Sequence, residues 1–291
     1  MLNKPIIVTD STADLTPDEI EQYGIHVVPL NIHMGAQVYR DDASFPREEF
    51  FARLSDPATR PTTSSPSARA FRDLYTRICP ESGADVISIH ISAKLSDTVR
   101  RARQASESLL GRCRVHVVDS EVASVGLGIL AKQAAQMVQA GASGDEIIRA
   151  LRGMIDHVYV VFFVESLDFL EQGGRIGKAQ ALLGTMLNIK PMLILEEGEI
   201  EPLEKVRTRA RALDKLADFV SEFGHIESLT IMHHHAQPQE IAGLIERLES
   251  VRGADISIAV AQYGPVLAAH IGPDALGIVV YEGLRVDPWE R

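Results

Sequence analysis

Short β-branched runs alternate with amphipathic segments in the first half of the chain, and no other feature restricts the fold as strongly. The runs cover residues 5–9, 25–32, 85–92 and 114–119. Helices are expected near residues 17–23, 46–54, 66–78, 97–110 and 123–140. Buried strands that alternate with such helices form βαβ units around a parallel sheet. The pattern therefore predicts an α/β fold that begins with a parallel-sheet domain.

The pattern changes in the second half of the chain. The run "YVVFFV" (159–164) is followed by two strand-like segments that meet at a turn containing Gly198, which predicts a hairpin. Further apolar runs and helices follow, as in a mixed sheet. We therefore expect two domains. Residues 1–157 form an N-terminal α/β domain, and residues 158–291 form a C-terminal α/β domain with a mixed sheet.

Charge and composition exclude several classes of protein. The formal net charge of −11 argues against a surface for nucleic acid or anionic lipid. Cys79 and Cys113 have no metal-ligand spacing and predict no disulfide framework, as in a reducing compartment. No secretory apolar segment opens the chain, and no uninterrupted apolar run approaches about 18 residues. We expect a soluble, cytoplasmic protein without a metal site.

Hydroxyl and carboxyl side chains follow several of the predicted strands. They are Asp10, Ser11 and Thr12 after the first strand, Ser92 and Ser96 after the third, and Asp119 and Ser120 after the fourth. Ligands of open α/β sheets bind at the carboxyl ends of the strands. We therefore expect these side chains to lie at one edge of the sheet.

A hydroxyl-rich stretch, "RPTTSSPS" (60–67), fits the same edge. Ser65 is expected to cap a helix that begins at Pro66, so Thr63 and Ser64 would lie beside free backbone N–H groups. Ser96 is expected to cap the next helix. Two such helix starts predict a site for a small anion such as a carboxylate. The alternative that these hydroxyls only cap helices stays open.

Other motifs give weaker signals. The segment "GLGILA" (126–131) lies too far from its strand for a dinucleotide fingerprint, and "GGRIGKA" (173–179) lacks the hydroxyl that would hold magnesium in a P-loop. His233 and His235 would share a strand face, but no third ligand has a recognisable spacing to them. These motifs favour packing and turns over a cofactor or metal site.

Several stretches together resemble the DegV family. They are "VTDSTADL", "TTSSPS", "ISAKLSDT", "VVDSEVASVGLG", "LDFLEQGGRIGKAQALLGTMLNIKP", "KVRTRARAL" and "AAHIGPDALG". The resemblance implies a two-domain α/β protein that holds a long-chain fatty acid between its domains, without a cofactor and without catalytic activity of its own. It also implies a separate kinase subunit, which phosphorylates the bound carboxylate for phospholipid synthesis.

The resemblance also assigns site residues. Thr63 and Ser96 match the hydroxyls that hold the carboxylate, and Arg207 and His270 match residues of the second domain at the same pocket. From their positions beside these hydroxyls and after a strand, Ser64 and Ser120 are expected to contribute to the fatty-acid site. The N-terminal domain would thus carry the head-group hydroxyls, and the C-terminal domain would close the lipid tunnel.

Two residues depart from the family pattern. Asp97 and Asp274 stand where family members commonly have glycine. Asp97 brings negative charge towards the expected head group, and Asp274 changes a loop that glycine would leave flexible and uncharged. In "LEQGGRIGKAQALLG" (170–184), Arg175 and Lys178 follow a glycine pair that predicts an exposed turn. We interpret these two cations as a docking site for the kinase.

Two other classes of function remain open at this point. The chain could be a stand-alone phosphotransferase or hydrolase that uses Asp10, Ser120 or His270. It could also be a structural or regulatory α/β protein whose hydroxyls are helix caps alone.

Overall fold

The computed structural model describes residues 4–54, 56–79, 83–112, 114–183, 189–253 and 256–284. Its helices are α1 (Pro17–Tyr23), α2 (Arg47–Leu54), α3 (Ala68–Ile78), α4 (Thr98–Glu107), α5 (Val125–Gln139), α6 (Gly144–Ile155), α7 (Asp168–Gln172), α8 (Arg209–Ser221), α9 (Pro238–Arg252) and α10 (Pro265–Ile271). Its strands are β1 (Ile6–Asp10), β2 (His26–Val28), β3 (Asn31–Met34), β4 (Gln37–Arg40), β5 (Thr62–Ser64), β6 (Val86–His90), β7 (Val115–Asp119), β8 (Val158–Phe163), β9 (Lys190–Glu196), β10 (Glu199–Val206), β11 (Ser228–His233), β12 (Ile258–Gln262) and β13 (Leu276–Tyr281).

The predicted parallel sheet is present and has the strand order β2-β1-β6-β7. One predicted strand, residues 25–32, is instead divided between two sheets. Pro29 lies between β2 and β3, and proline cannot donate to a strand ladder. As a result β2 joins the parallel sheet, while β3 pairs with β4 and β5 in a small antiparallel sheet.

The second half forms the predicted mixed sheet, with strand order β10-β9-β8-β13-β11-β12. The hairpin between β9 and β10 turns at Gly198, whose φ of 80° lies in the left-handed region that glycine adopts without strain. The strand β11 is parallel to β12 and antiparallel to β13. The α/β class and both kinds of sheet are therefore as predicted.

A large apolar cluster extends across both halves of the chain. It contains Ile7 and Ile89 from the parallel sheet, Phe162 and Leu195 from the mixed sheet, and Val266 from α10. Helix α5 packs against strands of both sheets. The change of sheet falls between β7 and β8, and the boundary at residue 157 stays a prediction.

Several local predictions are wrong. Ser67, not Ser65, caps α3, because Thr62–Ser64 forms strand β5 and delays the helix to Ala68. Helix α4 begins one residue later than expected, after Asp97.

Helix α10 was not predicted from the sequence pattern. This helix has only seven residues, enclosed between "GP" at 264–265 and "GP" at 272–273. Such a segment is too short to show a helical period.

The cysteine prediction is wrong for Cys79, which is disulfide-bonded, and Cys113 lies outside the described residues. Among the described residues, no helix combines the length and apolar character needed to cross a membrane.

Candidate functional site

A cavity lies where the two halves of the chain meet. Most of its lining is aliphatic or aromatic: Leu30, Ile91, Leu95, Ala123, Val160, Phe162, Leu170, Leu195, Ile200, Met232, Val266, Leu267 and Ile271. The polar lining residues are Thr63, Ser64, Ser65, Ser96, Ser124, Arg175 and His270. Such a lining suits a ligand with a long apolar part and a small polar end.

The mixed sheet and α10 build much of the apolar wall. Val160 of β8 pairs with Leu195 of β9, and Leu195 pairs with Ile200 of β10. Directly paired residues share a face of a sheet, so these three side chains form a row along the cavity. Helix α10 adds Val266, Leu267, His270 and Ile271.

The two halves meet at a hydrogen bond inside the cavity. Thr63 Oγ1 of β5 lies 2.7 Å from His270 Nε2 of α10. Burial, and secondarily the charge of Arg175, lower the pKa of His270 to about 4. The imidazole is therefore neutral at physiological pH, and one of its two nitrogens carries a hydrogen.

The surroundings of the His270 ring assign that hydrogen to Nε2. Buried Nδ1 has no hydrogen-bond partner among the described residues. An orphaned buried N–H is rarer than an under-used acceptor, so we place the hydrogen on Nε2, where it is donated to Thr63 Oγ1. The hydroxyl hydrogen of Thr63 is then free to be donated to a ligand in the cavity.

The two glycines at 173 and 174 are required for different reasons. A Cβ on Gly173 would lie 2.3 Å from His270 Nδ1, so the imidazole occupies the space that a side chain would fill. Gly174 has a φ of 68° and nothing within 4 Å of its Cβ position. The first glycine therefore makes room for the site, and the second permits the turn of the backbone.

Arg175 lies at the cavity and not on a freely projecting turn. Its Nε donates to the carbonyl of Leu95 at 3.1 Å, and its Nη1 donates to the carbonyl of Gly173. The exposed turn predicted from the glycine pair is present at Gly174, but Arg175 does not project from it, because its guanidinium reaches back to the loop before α4. Its role in docking stays a prediction.

A second, more polar cavity adjoins the first. Thr63, Arg175 and His270 line both cavities. Arg60 and Gln172 line the second one, and Arg60 Nη1 donates to Gln172 Oε1 at 2.8 Å. Thr63, Arg175 and His270 therefore separate an apolar space from a polar one, and we call these three side chains the polar junction.

The other predicted hydroxyls differ in their positions. Ser96 lines the apolar cavity, with its Oγ 2.8 Å from Thr98 Oγ1. Ser64 also lines it, and its Oγ lies 2.8 Å from His33 Nε2. Ser120 is absent from the lining of both described cavities, because it is fully buried and its Oγ donates to the carbonyl of Val122.

The remaining predicted cations lie outside both cavities. Arg207 is exposed directly after β10, in the turn before α8, and does not line either cavity. Lys178 is exposed and forms an ion pair with Glu201. The structure thus brings together Thr63, Ser64, Ser96 and His270 and leaves Arg207 and Lys178 apart from them.

The two acidic departures from the family pattern do not enter the cavity lining. Asp97 is exposed and accepts from Arg100 Nε at 2.9 Å, a hydrogen bond that lowers the pKa of Asp97. Asp274 is exposed, and its backbone carbonyl accepts from Arg209. The charge of Asp97 is therefore balanced by Arg100, and that of Asp274 is in contact with water.

The residues proposed for a stand-alone enzyme do not form one site. Asp10 is fully buried and accepts from the backbone N–H of Ile91 at 3.0 Å, and it also contacts His90 Nδ1. His90 Nε2 in turn lies 2.7 Å from the Ser88 hydroxyl. This chain of groups resembles a hydrolase triad, but Ser88 is fully buried and its Oγ contacts Tyr75 Oη. A substrate could not reach a nucleophile enclosed in this way.

Two serines of the cavity were not predicted as site residues from the sequence. Ser65 and Ser124 line the cavity, and Ser124 has a φ of 54°, which is unusual for serine. The "DSEVASVG" stretch carried no signal for that conformation.

The three histidines at 233–235 lie beside an aromatic residue, since His234 stacks on Phe51. The described residues contain no group suited to hold a metal ion.

Comparisons with known proteins agree on one family. A family model described as "DegV: uncharacterised protein, DegV family" matches residues 4–283. A DegV domain-containing protein of Streptomyces coelicolor is 38% identical over 277 residues, which cover 94% of this chain and 97% of that protein.

Solved structures give the same result. A DegV family protein of Thermus thermophilus, whose structure is described by its fatty acid binding, is 34% identical, with a TM-score of 0.88 and coverage of 97% of this chain and 100% of its own. DegV of Bacillus subtilis, described as a fatty acid binding protein, is 31% identical, with a TM-score of 0.85 and coverage of 96% and 99%. A stearic acid-binding protein of Eubacterium ventriosum is 26% identical, with a TM-score of 0.85 and coverage of 97% and 99%.

Proposed function

Because the chain belongs to the DegV family, we propose that it binds a long-chain fatty acid with its tail in the apolar cavity and its carboxylate at the polar junction. The observation that carries this proposal is the separation of the lining, with aliphatic walls on one side of Thr63, Arg175 and His270 and a polar cavity on the other. The solved relatives described as fatty-acid-binding proteins support the same ligand class.

The energetics of such a ligand fit these two environments. A tail of about sixteen carbons gains roughly 12 kcal/mol on burial, at about 0.8 kcal/mol for each CH₂. A carboxylate cannot be buried without partners. Thr63 and Ser96 provide hydroxyl donors, and the Arg175 guanidinium provides the opposite charge. A fatty acid therefore suits both ends of the cavity, whereas a wholly apolar molecule would offer no negative charge to the Arg175 guanidinium.

We further propose that the protein is a non-catalytic carrier for a separate kinase subunit in the cytoplasm, where ATP is available. A carboxylate oxygen of the bound acid would attack the γ-phosphorus of ATP held by that subunit, and the bond to the ADP leaving group would break. The more polar cavity that adjoins the polar junction supports this route, since it places polar side chains beside the proposed carboxylate position. No cofactor is required of the carrier.

Lipid extraction tests the binding proposal. Protein purified from bacteria is denatured, extracted with organic solvent and examined by mass spectrometry. We expect close to one long-chain fatty acid per chain. Protein that releases no fatty acid, and binds none at micromolar concentration after delipidation, would contradict the proposal.

A coupled kinase assay tests the carrier proposal and the docking hypothesis. Lys178→Glu reverses the charge of an exposed side chain that lies outside the cavity. We therefore expect slower acyl-phosphate formation with unchanged lipid content. The effect on the rate should shrink at high salt. Arg69→Glu, on the exposed side of α3, is the matched control. Equal rates for the two variants would move docking away from Lys178.

A further inference from the structure

The carboxylate of Asp14 joins two parts of the molecule that are distant in sequence. Its Oδ1 accepts the backbone N–H of Gly264 at 2.8 Å. Its Oδ2 accepts the hydroxyl of Ser124 at 2.6 Å. Gly264 immediately precedes α10, and Ser124 immediately precedes α5. One carboxylate thus fixes the starts of two helices, one from each half of the chain.

Helix α10 carries the part of the cavity wall that matters most for the head group. His270 contacts Thr63 from this helix, and three other residues of α10 line the apolar cavity. At the far end of the helix, Tyr263 Oη donates to the carbonyls of Gly272 and Ala275. Asp14 therefore holds the start of α10 while Tyr263 holds its end.

The backbone on both sides of Asp14 is adapted to this contact. A Cβ on Gly264 would lie 2.8 Å from Asp14 Oδ1, so a side chain there would push the carboxylate away. Ser124 has φ 54° and ψ −141°, a conformation that non-glycine residues adopt only when their surroundings hold them. Its hydroxyl bond to Asp14 is one such restraint.

We propose that Asp14 is a positioning residue for the head-group site, which ties α10 and His270 to the N-terminal half, and that its charge controls how readily the cavity opens for lipid exchange. This inference rests on the proposed fatty-acid binding. It adds a residue that touches neither the cavity nor the ligand.

Asp14 is half-buried as a residue, but both of its carboxylate oxygens are engaged by Ser124 and Gly264, and desolvation of this carboxyl group sets the direction of the charge effect. Desolvation raises the pKa of Asp14 to about 7 in the closed form, from an ordinary value of 3.8. Opening that exposes the carboxyl to water would restore the ordinary pKa. Between these two values the closed form binds more protons, so rising pH favours opening. The expected increase between pH 6 and pH 8 is about tenfold.

The charged and titratable neighbours of Asp14 must be included in this expectation. Asp41, after β4, and Arg47, at the start of α2, act on its charge in opposite directions, and Tyr263 is also close enough to interact with it. Desolvation raises the pKa of Asp41 to about 6, so Asp41 would add about a twofold increase over the same interval if it were also exposed on opening.

Release of a fluorescent fatty acid tests the inference. Cis-parinaric acid is loaded onto delipidated protein, and its transfer to excess phosphatidylcholine vesicles is followed by stopped flow at pH 6 and pH 8. Wild-type release should accelerate about tenfold at pH 8. Asp14→Asn keeps an acceptor for Gly264 and stays neutral. It should release at least tenfold more slowly than wild type at pH 8, with at most a twofold pH response.

Two further variants separate position from charge. Asp14→Ala removes both hydrogen bonds and should release faster than Asp14→Asn at each pH. Asp18→Asn makes the same charge change at an exposed position and should match wild type. A wild-type rate that is flat or falls with pH, or an Asp14→Asn variant as pH-dependent as wild type, would overturn the inference.

A failure of the proposed lipid binding can be distinguished from a failure of the role proposed for Asp14. If wild type takes up no probe, amide hydrogen exchange of residues 265–271 at pH 8 tests the role of Asp14 without a ligand. Slower exchange in Asp14→Asn than in wild type would support that role. Equal exchange would overturn it, whatever the ligand.

Discussion

Replacing Gly173 by alanine should damage the head-group site while leaving the fold intact. The new Cβ would lie 2.3 Å from His270 Nδ1, and ordinary contact begins near 3.4 Å. The imidazole would therefore have to move by about 1 Å. Its 2.7 Å bond to Thr63 would then stretch beyond hydrogen-bonding distance. The backbone itself accepts alanine, since Gly173 has a φ of −72°.

The expected loss follows from the bond that is broken. His270 holds the Thr63 hydroxyl so that its hydrogen is directed to the ligand carboxylate, and displacing His270 would lose that contact. Hydrogen bonds to a charged group contribute about 1.5–3 kcal/mol, so fatty-acid binding should weaken by about 10-fold to 100-fold. Affinity is measured by titration of delipidated protein with a fluorescent fatty acid, alongside thermal unfolding.

Gly174→Ala is the matched control. It places alanine at a φ of 68° with no atom within 4 Å of the new Cβ, so it should cost about 1–2 kcal/mol of stability and leave affinity unchanged. Wild-type affinity in Gly173→Ala, or equal losses of affinity in both variants, would refute the assignment of His270 to the head-group site.

Other variants test the remaining parts of the site. Thr63→Ala should weaken fatty-acid binding by about 10-fold or more in titrations, because it removes the hydroxyl donor. Ser96→Ala should weaken binding similarly, whereas Ser120→Ala should lower only the melting temperature, because Ser120 bonds within its own turn. Arg175→Gln removes the opposite charge and should weaken binding of the acid much more than of its methyl ester. The low pKa of His270, about 4, predicts that this residue makes the folded state lose stability as pH falls from 6.5 to 4, which thermal unfolding of wild type and His270→Gln can measure.

Part of the cavity lining could be predicted from the sequence because its hydroxyl residues lie near the ends of strands and the starts of helices. Thr63 and Ser96 were predicted from hydroxyls beside helix starts, and both line the cavity. The reason given for Thr63 was wrong in detail, since it lies on strand β5 and not beside a helix cap. Thr63 still lines the cavity because β5 ends shortly before the same helix start, and its role in binding stays a prediction.

Charge alone did not show where a cation lies. Arg175 and Lys178 occupy one short segment, yet Arg175 turns inward to Leu95 while Lys178 stays on the surface beside Glu201. The difference depends on the acceptors that the tertiary fold offers each side chain. A sequence pattern does not contain that information.

Two other features depend on contacts between the halves of the chain. Helix α10 has no periodic signal, so the position of His270 followed only from a family resemblance. Asp14 belongs to a stretch that is typical of a simple turn after β1, but its partners lie 110 and 250 residues away. No local rule connects positions so far apart.

A crystal structure of the delipidated protein soaked with a long-chain fatty acid tests the proposed binding mode most directly. We expect the tail to lie between the β8–β9–β10 face and α10. We also expect a carboxylate oxygen within hydrogen-bonding distance of Thr63 Oγ1, with the Arg175 guanidinium nearby. A tail bound outside this cavity, or a carboxylate at the end away from Thr63 and His270, would contradict the proposed binding mode.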